Sequence, residues 1–331
     1  MPFRHDDGMD IRQLRYFMAV AGLENFSRAA QQLYIAQPAL SRSMRALEEE
    51  LGVRLFERHL RGATLTPEGR ALMDRATALL RNFDQIKSDI QDKQVTAAGP
   101  VAIGMTPNFA MVAGVAITRR VLQQFPAAQL QIVEAYSPAL RDMLRDGAID
   151  IALLSGSSSR PSPTLAVEPL FEERLCLVGR AADPVMQASE ISIARLAGLP
   201  LILSGTAVAG IRNELESQAR RQRVPLHVVV EVGSFELASR MVLDGMGYTV
   251  YSASGIAGVY DADRLAAVPI TKLWLQRSVA WPLNRPLLRL AGEVLAVARE
   301  TLTQLVRRGD WPLTRSLQKP RGRKPRAPTP V

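Results

Sequence analysis

Residues Leu14 to Arg58 carry the strongest structural pattern in the chain and read LRYFMAVAGLENFSRAAQQLYIAQPALSRSMRALEEELGVRLFER. Its apolar residues recur at intervals of three and four, as they do along the buried face of a helix. Ser27 is expected to cap a second helix, and Pro38 lies where the first turn of a third helix tolerates its missing N–H. Strand-like residues follow up to Thr66. We therefore expect three short helices and a hairpin.

This order of elements is the plan of a winged helix-turn-helix, in which one helix enters the major groove of DNA. Such a helix needs an apolar face toward its own domain and a polar face toward the bases. Glutamine can read adenine, arginine can read guanine or hold a phosphate, and serine can do either. In the third helix the apolar face is predicted to consist of Leu40, Met44, Leu47 and Leu51, and the polar face of Gln37, Ser41, Arg42 and Arg45.

The same stretch, with LTPEGRAL at residues 65–72, resembles the N-terminal domain of the LysR-type transcriptional regulators without a gap from Asp10 to about Leu80. The resemblance implies a regulator that binds double-stranded promoter DNA. The chain departs from the family pattern at Ala36, where serine or threonine is usual, and the missing capping oxygen costs about 1 kcal/mol of helix stability. The DNA contacts implied by the resemblance are Gln37, Pro38, Ser41 and Arg42 in the third helix and Arg58 and Arg61 in the hairpin.

A long helix is predicted to begin at Pro67. Its apolar residues are spaced alternately four and three apart over nearly three heptads, as in a coiled-coil seam. Such a stripe must be buried, either against the chain's own domain or against a second copy of the chain, and its regularity favours a dimer contact. The seam consists of Leu72, Ala76, Leu79, Phe83, Ile86 and Ile90.

Beyond Gly99, apolar strand-like runs alternate with helical patterns, which predicts an α/β fold with largely parallel sheets. The family resemblance continues here more loosely and implies a two-lobed effector domain similar to a periplasmic binding protein. Residues 99–107 and 229–254 have a weak similarity to the nitrogen-assimilation-control branch of the family. The predicted domains are a DNA-binding domain at 10–66, a linker and dimerisation helix at 67–95, and an effector domain at 99–310, with a first lobe of about 99–171 and 276–305 and a second lobe of about 172–275.

Open α/β sheets bind ligands at the carboxyl ends of their strands, where helix N-termini offer free N–H groups. The polar side chains expected at such junctions either contact a ligand or only cap a helix. Thr106 and Ser137 are preferred as ligand contacts, because LysR-type regulators place effector-contacting hydroxyls there. The expected ligand is a small, anionic organic effector. The candidate effector-binding residues are Thr106, Asn108, Ser137, Ser204, Thr206 and Ser252.

The formal net charge is +9, but the last 16 residues hold five basic residues and no acidic one. The basic character therefore does not by itself indicate that the folded part binds DNA. Residues 316–331 are rich in proline and poor in apolar residues, so they are predicted to be disordered. The segment 320–326 resembles a minor-groove-binding AT-hook, but Lys324 interrupts the motif, and a nonspecific basic tail is the preferred interpretation.

Several classes of protein are excluded or disfavoured. The longest apolar run has nine residues, whereas a membrane span needs about 20. The single cysteine, Cys176, excludes an internal disulfide and a two-cysteine peroxide sensor, and three dispersed histidines give no zinc-site spacing. Neither a Gly-x-Ser-x-Gly motif nor a phosphate-binding glycine loop occurs. We expect no catalytic residues, no bound metal or cofactor, no membrane contact and a cytoplasmic location.

The sequence therefore predicts a DNA-binding regulator of the LysR type that binds promoter DNA as a homodimer or homotetramer. It is expected to respond to a small organic effector in the cleft between its lobes, and RNA polymerase is a further candidate partner. A regulator that has lost its response to an effector is the alternative. From another class, an enzyme or solute-binding domain of the same two-lobed fold is disfavoured, because neither a catalytic motif nor a secretory signal is recognised.

Overall fold

A small helical unit, a long helix and an α/β unit follow one another along the chain in the computed structural model. This order agrees with the predicted fold class. The structure describes residues 9–59, 62–91, 98–156, 162–205, 210–256, 264–285 and 287–317.

The helical unit contains three helices and a two-stranded antiparallel hairpin around an aromatic centre. The ring of Phe56 lies 5.3 Å from that of Phe17 and 5.5 Å from that of Phe26, centroid to centroid. These contacts join the hairpin to the helices, so the hairpin has a fixed place beside them. The elements are α1 (Ile11–Leu23), α2 (Phe26–Gln32), α3 (Gln37–Leu51), β1 (Phe56–His59) and β2 (Gly62–Leu65).

Two local predictions in this unit are wrong. The side chain that caps α2 is Asn25, whose Oδ1 accepts the N–H of Arg28 at 3.0 Å, and Ser27 lies inside the helix. Asn25 takes this role because its backbone is still extended, as a cap residue requires. Leu51 is exposed rather than buried, because α3 ends there and Gly52 turns the chain away in a left-handed conformation.

The long helix α4 spans Pro67–Gln91 and begins against the helical unit. Ala76 is buried, and Leu72 packs against the core of the helical unit, so the chain itself covers the start of the predicted seam. Leu79 is 45% exposed, so the seam opens to solvent one turn later. The side chains of Ile86 and Ile90 lie outside the described residues. The dimer contact therefore stays a prediction.

The α/β unit has a mixed seven-stranded sheet and a separate pair of strands. Parallel pairing occurs where a helix returns the chain, between β3 and both β4 and β5, and between β7 and β8. The long strands β6 and β10 pair antiparallel, so the prediction of largely parallel sheets is only half right. The strands are β3 (Gly99–Met105), β4 (Ala128–Glu134), β5 (Ile151–Ser155), β6 (Leu165–Arg180), β7 (Leu201–Ser204), β8 (Val228–Val232), β9 (Thr249–Ser252), β10 (Leu265–Pro282) and β11 (Thr314–Ser316).

The helices of this unit cover both faces of the main sheet and flank the strand pair. The first of them is continuous from α5 through a π-helical turn, Ala110–Gly114, into α6. Single π-helical turns inside a helix are frequent at functional sites. The helices are α5 (Pro107–Phe109), α6 (Val115–Gln124), α7 (Ser137–Asp146), α8 (Gly210–Gln222), α9 (Phe235–Leu243) and α10 (Arg289–Arg308), with short 3₁₀ turns at Pro184–Gln187, Ile193–Gly198 and Ala253–Gly255.

The long strands β6 and β10 belong to two lobes, each with its own apolar core. Phe171 and Val279 lie in the core of the first lobe, whereas Leu175 and Leu275 lie in the core of the second. The chain therefore crosses between lobes at the middle of each of these strands. We call residues 172–174 and 276–278 the hinge.

The C-terminal end of the chain departs from the prediction. Trp311, placed outside the effector domain, is buried against Phe109 and Phe171 in the core of the first lobe. Ser316, assigned to the disordered tail, ends strand β11 and pairs with Phe171 of β6. The aromatic contact explains the difference, because a buried tryptophan anchors the residues that follow it. The rest of the tail lies outside the described residues.

Candidate functional site

Helix α3 presents a polar surface on the side away from the core. Gln37, Pro38 and Arg42 are exposed, as a DNA-contacting face requires. Ser41 is only 8% exposed, and its Oγ accepts a hydrogen bond from Nε2 of Gln37 at 2.9 Å. Because these two side chains are bonded to each other, Gln37 and Ser41 form one polar pair rather than two independent contacts.

The N-terminus of α3 has no side-chain cap. Ala36 occupies the cap position with an extended backbone and has no side-chain oxygen, but its carbonyl accepts the N–H groups of Ala39 and Leu40 at 2.9 and 3.2 Å. Since Pro38 lacks an N–H and those two donors are used, the N–H of Gln37 is the first-turn donor that could meet an outside acceptor such as a phosphate oxygen.

The hairpin of β1 and β2 carries the second group of predicted DNA contacts. The guanidinium carbon of Arg58 lies 4.4 Å from the centroid of the Phe26 ring, within the range of a cation–π contact. This contact holds the exposed Arg58 side chain of the hairpin against α2. Arg61 lies outside the described residues.

A cleft of about 700 Å³ opens between the two lobes of the α/β unit. Of the predicted effector residues, Thr106, Asn108, Ser137 and Ser204 line it. Ser252 is fully buried and lies behind the wall rather than among the lining residues. Thr206 lies outside the described residues.

Two hydroxyl groups on the first-lobe wall leave one proton free for a ligand. Oγ1 of Thr106 lies 2.7 Å from Oγ of Ser155, and Arg277 donates a further hydrogen bond to that Ser155 oxygen. Each hydroxyl carries one proton, and the hydrogen bond between Thr106 and Ser155 uses only one of the two. Either side chain can therefore donate to an acceptor in the cleft.

The hydroxyl of Ser137 is already occupied. It donates to the carbonyl of Ser155 at 2.9 Å and accepts the N–H of the same residue at 3.0 Å. These two bonds fix the end of β5 to the start of α7. Ser137 therefore shapes the wall, whereas Thr106 and Ser155 offer the free donor.

Behind this wall lies a fully buried ion pair at the hinge. Arg277 and Glu173 are both 0% exposed, and Nε of the arginine donates to Oε2 of the glutamate at 2.8 Å. Nη2 of Arg277 also reaches Oδ1 of Asn108 at 2.5 Å, and the amide nitrogen of Asn108 donates to Oγ of Ser252 at 2.9 Å. Asn108 belongs to the first lobe and Ser252 to the second. The network therefore connects both lobes through the hinge.

Aromatic rings cover much of the second-lobe wall and the mouth of the cleft. Phe235 stacks on Tyr251 with centroids 3.6 Å apart. Tyr136 crosses the cleft, and its hydroxyl donates to the carbonyl of Gly233 at 2.7 Å. The ring of Tyr136 packs against Gly205, where a Cβ would lie 3.4 Å from it. Burial raises the pKa of Tyr136 and of Tyr251, so both phenols remain neutral donors.

Charged side chains near the mouth are held by partners. Arg240 pairs with Glu236 at 2.7 Å on the surface of α9. Arg212 makes a two-pronged contact with Glu231 at 2.6 and 2.8 Å, which raises the pKa of the guanidinium. These pairs fix both arginines at the wall of the cleft.

Cys176 lies on β6 in the core of the second lobe. Burial raises the pKa of its thiol to about 12, so the reactive thiolate does not form near neutral pH. In the described part of the chain there is no group of three or more potential metal-binding side chains. Within the same residues, no helix has the length and apolar character needed to cross a membrane.

Two family models cover nearly all of this architecture. The model of the bacterial regulatory helix-turn-helix protein, lysR family, matches residues 11–70. The LysR substrate binding domain matches residues 95–303, which is more than half of the chain. The chain belongs to the LysR family of bacterial transcriptional regulators. As a LysR-family member it is a DNA-binding protein with a helix-turn-helix and an effector-binding domain.

Curated LysR-family relatives match most of the chain. The regulator BbuR of Bordetella bronchiseptica is 32% identical over 94% of this chain and 95% of its own length. The nitrogen assimilation regulatory protein nac of Klebsiella aerogenes is 30% identical over 77% of this chain and 82% of its own length. Other relatives have similar identities, so these values single out no branch of the family.

Solved full-length structures share the fold. A variant of OxyR from Pseudomonas aeruginosa has a TM-score of 0.65 at 25% identity and covers 89% of this chain and 95% of its own. The LysR-family regulator CbnR has a TM-score of 0.66 at 20% identity and covers 88% and 99%. CbnR has also been solved in complex with its target DNA, and that structure has a TM-score of 0.65.

Sequence reasoning missed most residues that build the cleft or support its wall, and four of them are central to its geometry. Ser155, Glu173 and Arg277 are far apart in the chain, and only the folded sheet brings them together. Tyr136 was missed because nothing in its sequence context indicates a contact across lobes. One signal was available for Arg277, an arginine inside the apolar strand LWLQRSVAW at residues 273–281. A charge in such a strand needs a buried partner.

Proposed function

We propose that this LysR-family regulator reads promoter DNA through α3 and the β1–β2 hairpin and is controlled by a small organic anion in the interlobe cleft. The observation that carries the proposal is the cleft itself, with a free hydroxyl proton on the Thr106–Ser155 pair. A regulator without an effector has no need of a ligand-sized cavity with an unused donor at its wall.

The helix ends at the cleft favour an anion, whereas each lining arginine is already paired with a glutamate. Arg212 pairs with Glu231, Arg240 with Glu236 and Arg277 with Glu173. Helices α7 and α9 both begin at the wall, so the positive ends of their dipoles face the cavity. A carboxylate would therefore gain from the free hydroxyl and the helix ends together.

The apolar lining favours an organic acid over an inorganic ion. Met111 and Pro107 contribute from the first lobe, and Ile211 and Phe235 from the second. Burial of a ligand's apolar part against these groups contributes about 25 cal/mol for each Å². The proposed effector class is a small carboxylic acid with an apolar body.

The proposal includes DNA binding as a dimer or tetramer, with RNA polymerase as a further candidate partner at the promoter. Support for a dimer comes from Leu79, an apolar side chain left open on α4. A partner at this position would complete the seam that the chain's own domain covers only at its start.

The proposal is tested by a thermal-shift screen with benzoate, salicylate and succinate as carboxylate probes and benzamide as a neutral control. We expect an aromatic or aliphatic carboxylate to raise the unfolding temperature and to change the gel shift on the DNA upstream of the protein's own gene. If carboxylates of many shapes change neither, and promoter output stays constant, the effector-independent alternative is correct.

A further inference from the structure

The C-terminal segment Trp311–Ser316 lies behind the first-lobe wall of the cleft and pairs with the hinge. After α10 ends at Gly309, the N–H of Trp311 donates to the carbonyl of Leu305 at 3.2 Å. The indole is 1% exposed and lies 5.3 Å from the ring of Phe109, centroid to centroid. Since Phe109 belongs to α5 at the cleft, the segment touches the first-lobe wall from behind.

The indole of Trp311 also supports the buried arginine of the hinge. The guanidinium carbon of Arg277 lies 5.7 Å from the centroid of Trp311 and 5.3 Å from that of Phe109. Desolvated cation–π contacts of this kind are attractive. Arg277 in turn donates to Ser155 of the free hydroxyl pair. Trp311 therefore acts on the cleft through Arg277 and does not line it.

Strand β11 adds a third strand to the hinge. Thr314 pairs with Glu173 and Ser316 with Phe171, at the place where β6 leaves the first lobe. The N–H of Arg174 donates to the carbonyl of Leu313 at 2.9 Å. Leu313 has a φ of +54°, a left-handed conformation that is uncommon for leucine and that surrounding contacts must hold.

Arg315 ties β11 to both hinge strands. Its Nε donates to Oε2 of Glu172 on β6 at 2.7 Å. Its guanidinium carbon lies 4.0 Å from the centroid of Trp274 on β10. A change in the angle between the lobes must bend β6 and β10, and the Arg315 contacts resist that bending.

We propose that Trp311–Ser316 is a positioning element of the effector cleft, which sets the angle between the lobes and holds Arg277 against Ser155. The inference rests on the proposed function only in taking this cleft as the effector site. The mechanical part stands without a ligand, so it is tested without one.

The test measures the distance between the lobes by pulsed electron spin resonance. Spin labels are attached to Gln123→Cys on α6 and Gln222→Cys on α8, which are exposed, while the buried Cys176 stays unlabelled. Labelled protein is diluted into unlabelled protein, so that only distances within one chain contribute. We expect Arg315→Ala and Trp311→Leu to shift or broaden the distance distribution relative to wild type. Arg315→Lys should give a distribution between those of wild type and Arg315→Ala, because an ammonium group cannot stack on Trp274 as the planar guanidinium does.

A matched control is Arg220→Ala, which removes an exposed arginine that also pairs with a glutamate. It should leave the distribution unchanged. Trp311→Leu could fail to fold, in which case Arg315→Ala, whose side chain is half exposed, decides the result. An unchanged distribution in folded Arg315→Ala would overturn the proposal.

Hydrogen exchange distinguishes an effect on the interlobe angle from local fraying of β11. In Arg315→Ala the amide of Arg174 should exchange about tenfold faster, since its partner strand is loosened. Faster exchange without any change in the interlobe distance would mean that the strand only frays, and it would also overturn the proposal. If no probe ever binds the cleft but the distances change as expected, the proposed function fails and this inference stands.

Discussion

At the scale of single residues, the proposed DNA-binding surface and the proposed effector-binding wall are organised in the same way. Polar side chains are fixed by one hydrogen bond and keep another donor free. Gln37 is bonded to Ser41 on α3, and Thr106 is bonded to Ser155 in the cleft. Such pairs hold their side chains in place before a ligand arrives, which reduces the entropy that binding must overcome.

Substitution of either Gln37 or Arg42 by alanine should weaken specific operator binding while leaving the fold intact. Both side chains are exposed, so no core contact is lost. Each lost base contact costs about 1–3 kcal/mol of binding free energy. Fluorescence anisotropy with operator DNA measures this loss, with Arg221→Ala in the second lobe as control. If both variants bind the operator as tightly as the control, this side of α3 does not contact the bases.

Thr106→Val should weaken effector binding and leave operator binding unchanged. Valine keeps the shape of threonine but removes one of the two paired hydroxyls, so an effector oxygen that accepts from Thr106 loses that hydrogen bond, whereas the Ser155 hydroxyl remains. The expected cost is about 1–2 kcal/mol of binding free energy. Calorimetry with the carboxylate found by thermal shift measures it, and Thr303→Val on the exposed face of α10 is the matched control. Equal affinity for Thr106→Val and wild type would exclude this hydroxyl from the site.

Cys176 should resist alkylation in the folded protein at neutral pH. Burial disfavours the thiolate and raises the pKa of this thiol from an ordinary 9.0 to about 12. Because the folded pKa is raised, unfolding favours deprotonation between these values, so stability should fall as the pH rises from about 9 toward 12. Iodoacetamide labelling followed by mass spectrometry, with urea-unfolded protein as control, checks the first point. Rapid labelling of folded protein would contradict the burial of this side chain.

At the scale of elements, α4 shows how one apolar stripe can serve two purposes. Its first turns pack against the helical unit through Leu72 and Ala76, and Leu79 is open one turn further. The stripe therefore fixes the helix to its own domain at one end and offers a surface to a second copy beyond it. This division could not be predicted from the sequence, because apolar residues have the same spacing whether they pack on their own domain or on a second copy of the chain.

Leu79→Asp should weaken dimers, because a carboxylate in an apolar seam loses its hydration without gaining a partner. Leu283→Asp is the matched control, since Leu283 is likewise exposed but lies in the first lobe. Light scattering at decreasing concentration should show Leu79→Asp dissociating before wild type and before the control. Wild-type protein that is monomeric at micromolar concentration would contradict the seam as a dimer contact.

At the scale of the whole molecule, the hinge is held by a buried ion pair that belongs to both lobes. Glu173 lies on β6, Arg277 on β10, and Asn108 extends the network to Ser252 in the second lobe. Burying two charges costs several kcal/mol of hydration, so the pair is weak evidence for stability by itself. Its value lies in a defined geometry, because the hydrogen bonds of Arg277 and Asn108 join residues of both lobes at fixed distances.

Glu173→Gln should destabilise the protein strongly, since it leaves Arg277 charged and buried without a counter-charge. The expected loss is about 3–5 kcal/mol of unfolding free energy. Urea unfolding measures it, and Glu300→Gln, which breaks a surface pair with Arg120, should cost no more than about 1 kcal/mol. A second substitution, Arg277→Met, should recover part of the stability. Equal losses for Glu173→Gln and the control would mean that the buried pair is not coupled to folding.

The elements of the N-terminal unit, the family and several residues of the cleft can be predicted from the amino-acid sequence. Local signals suffice for these, because the spacing of apolar residues and the polar residues that end a strand are recognised within a few positions of the chain. The hinge pair, the contact of Tyr136 across the cleft and the return of Trp311 to the first lobe become visible only in the folded chain. Arg277 and Glu173 are separated by 104 positions. No local pattern specifies which distant strands pair, and burial of a charge becomes visible only once they do.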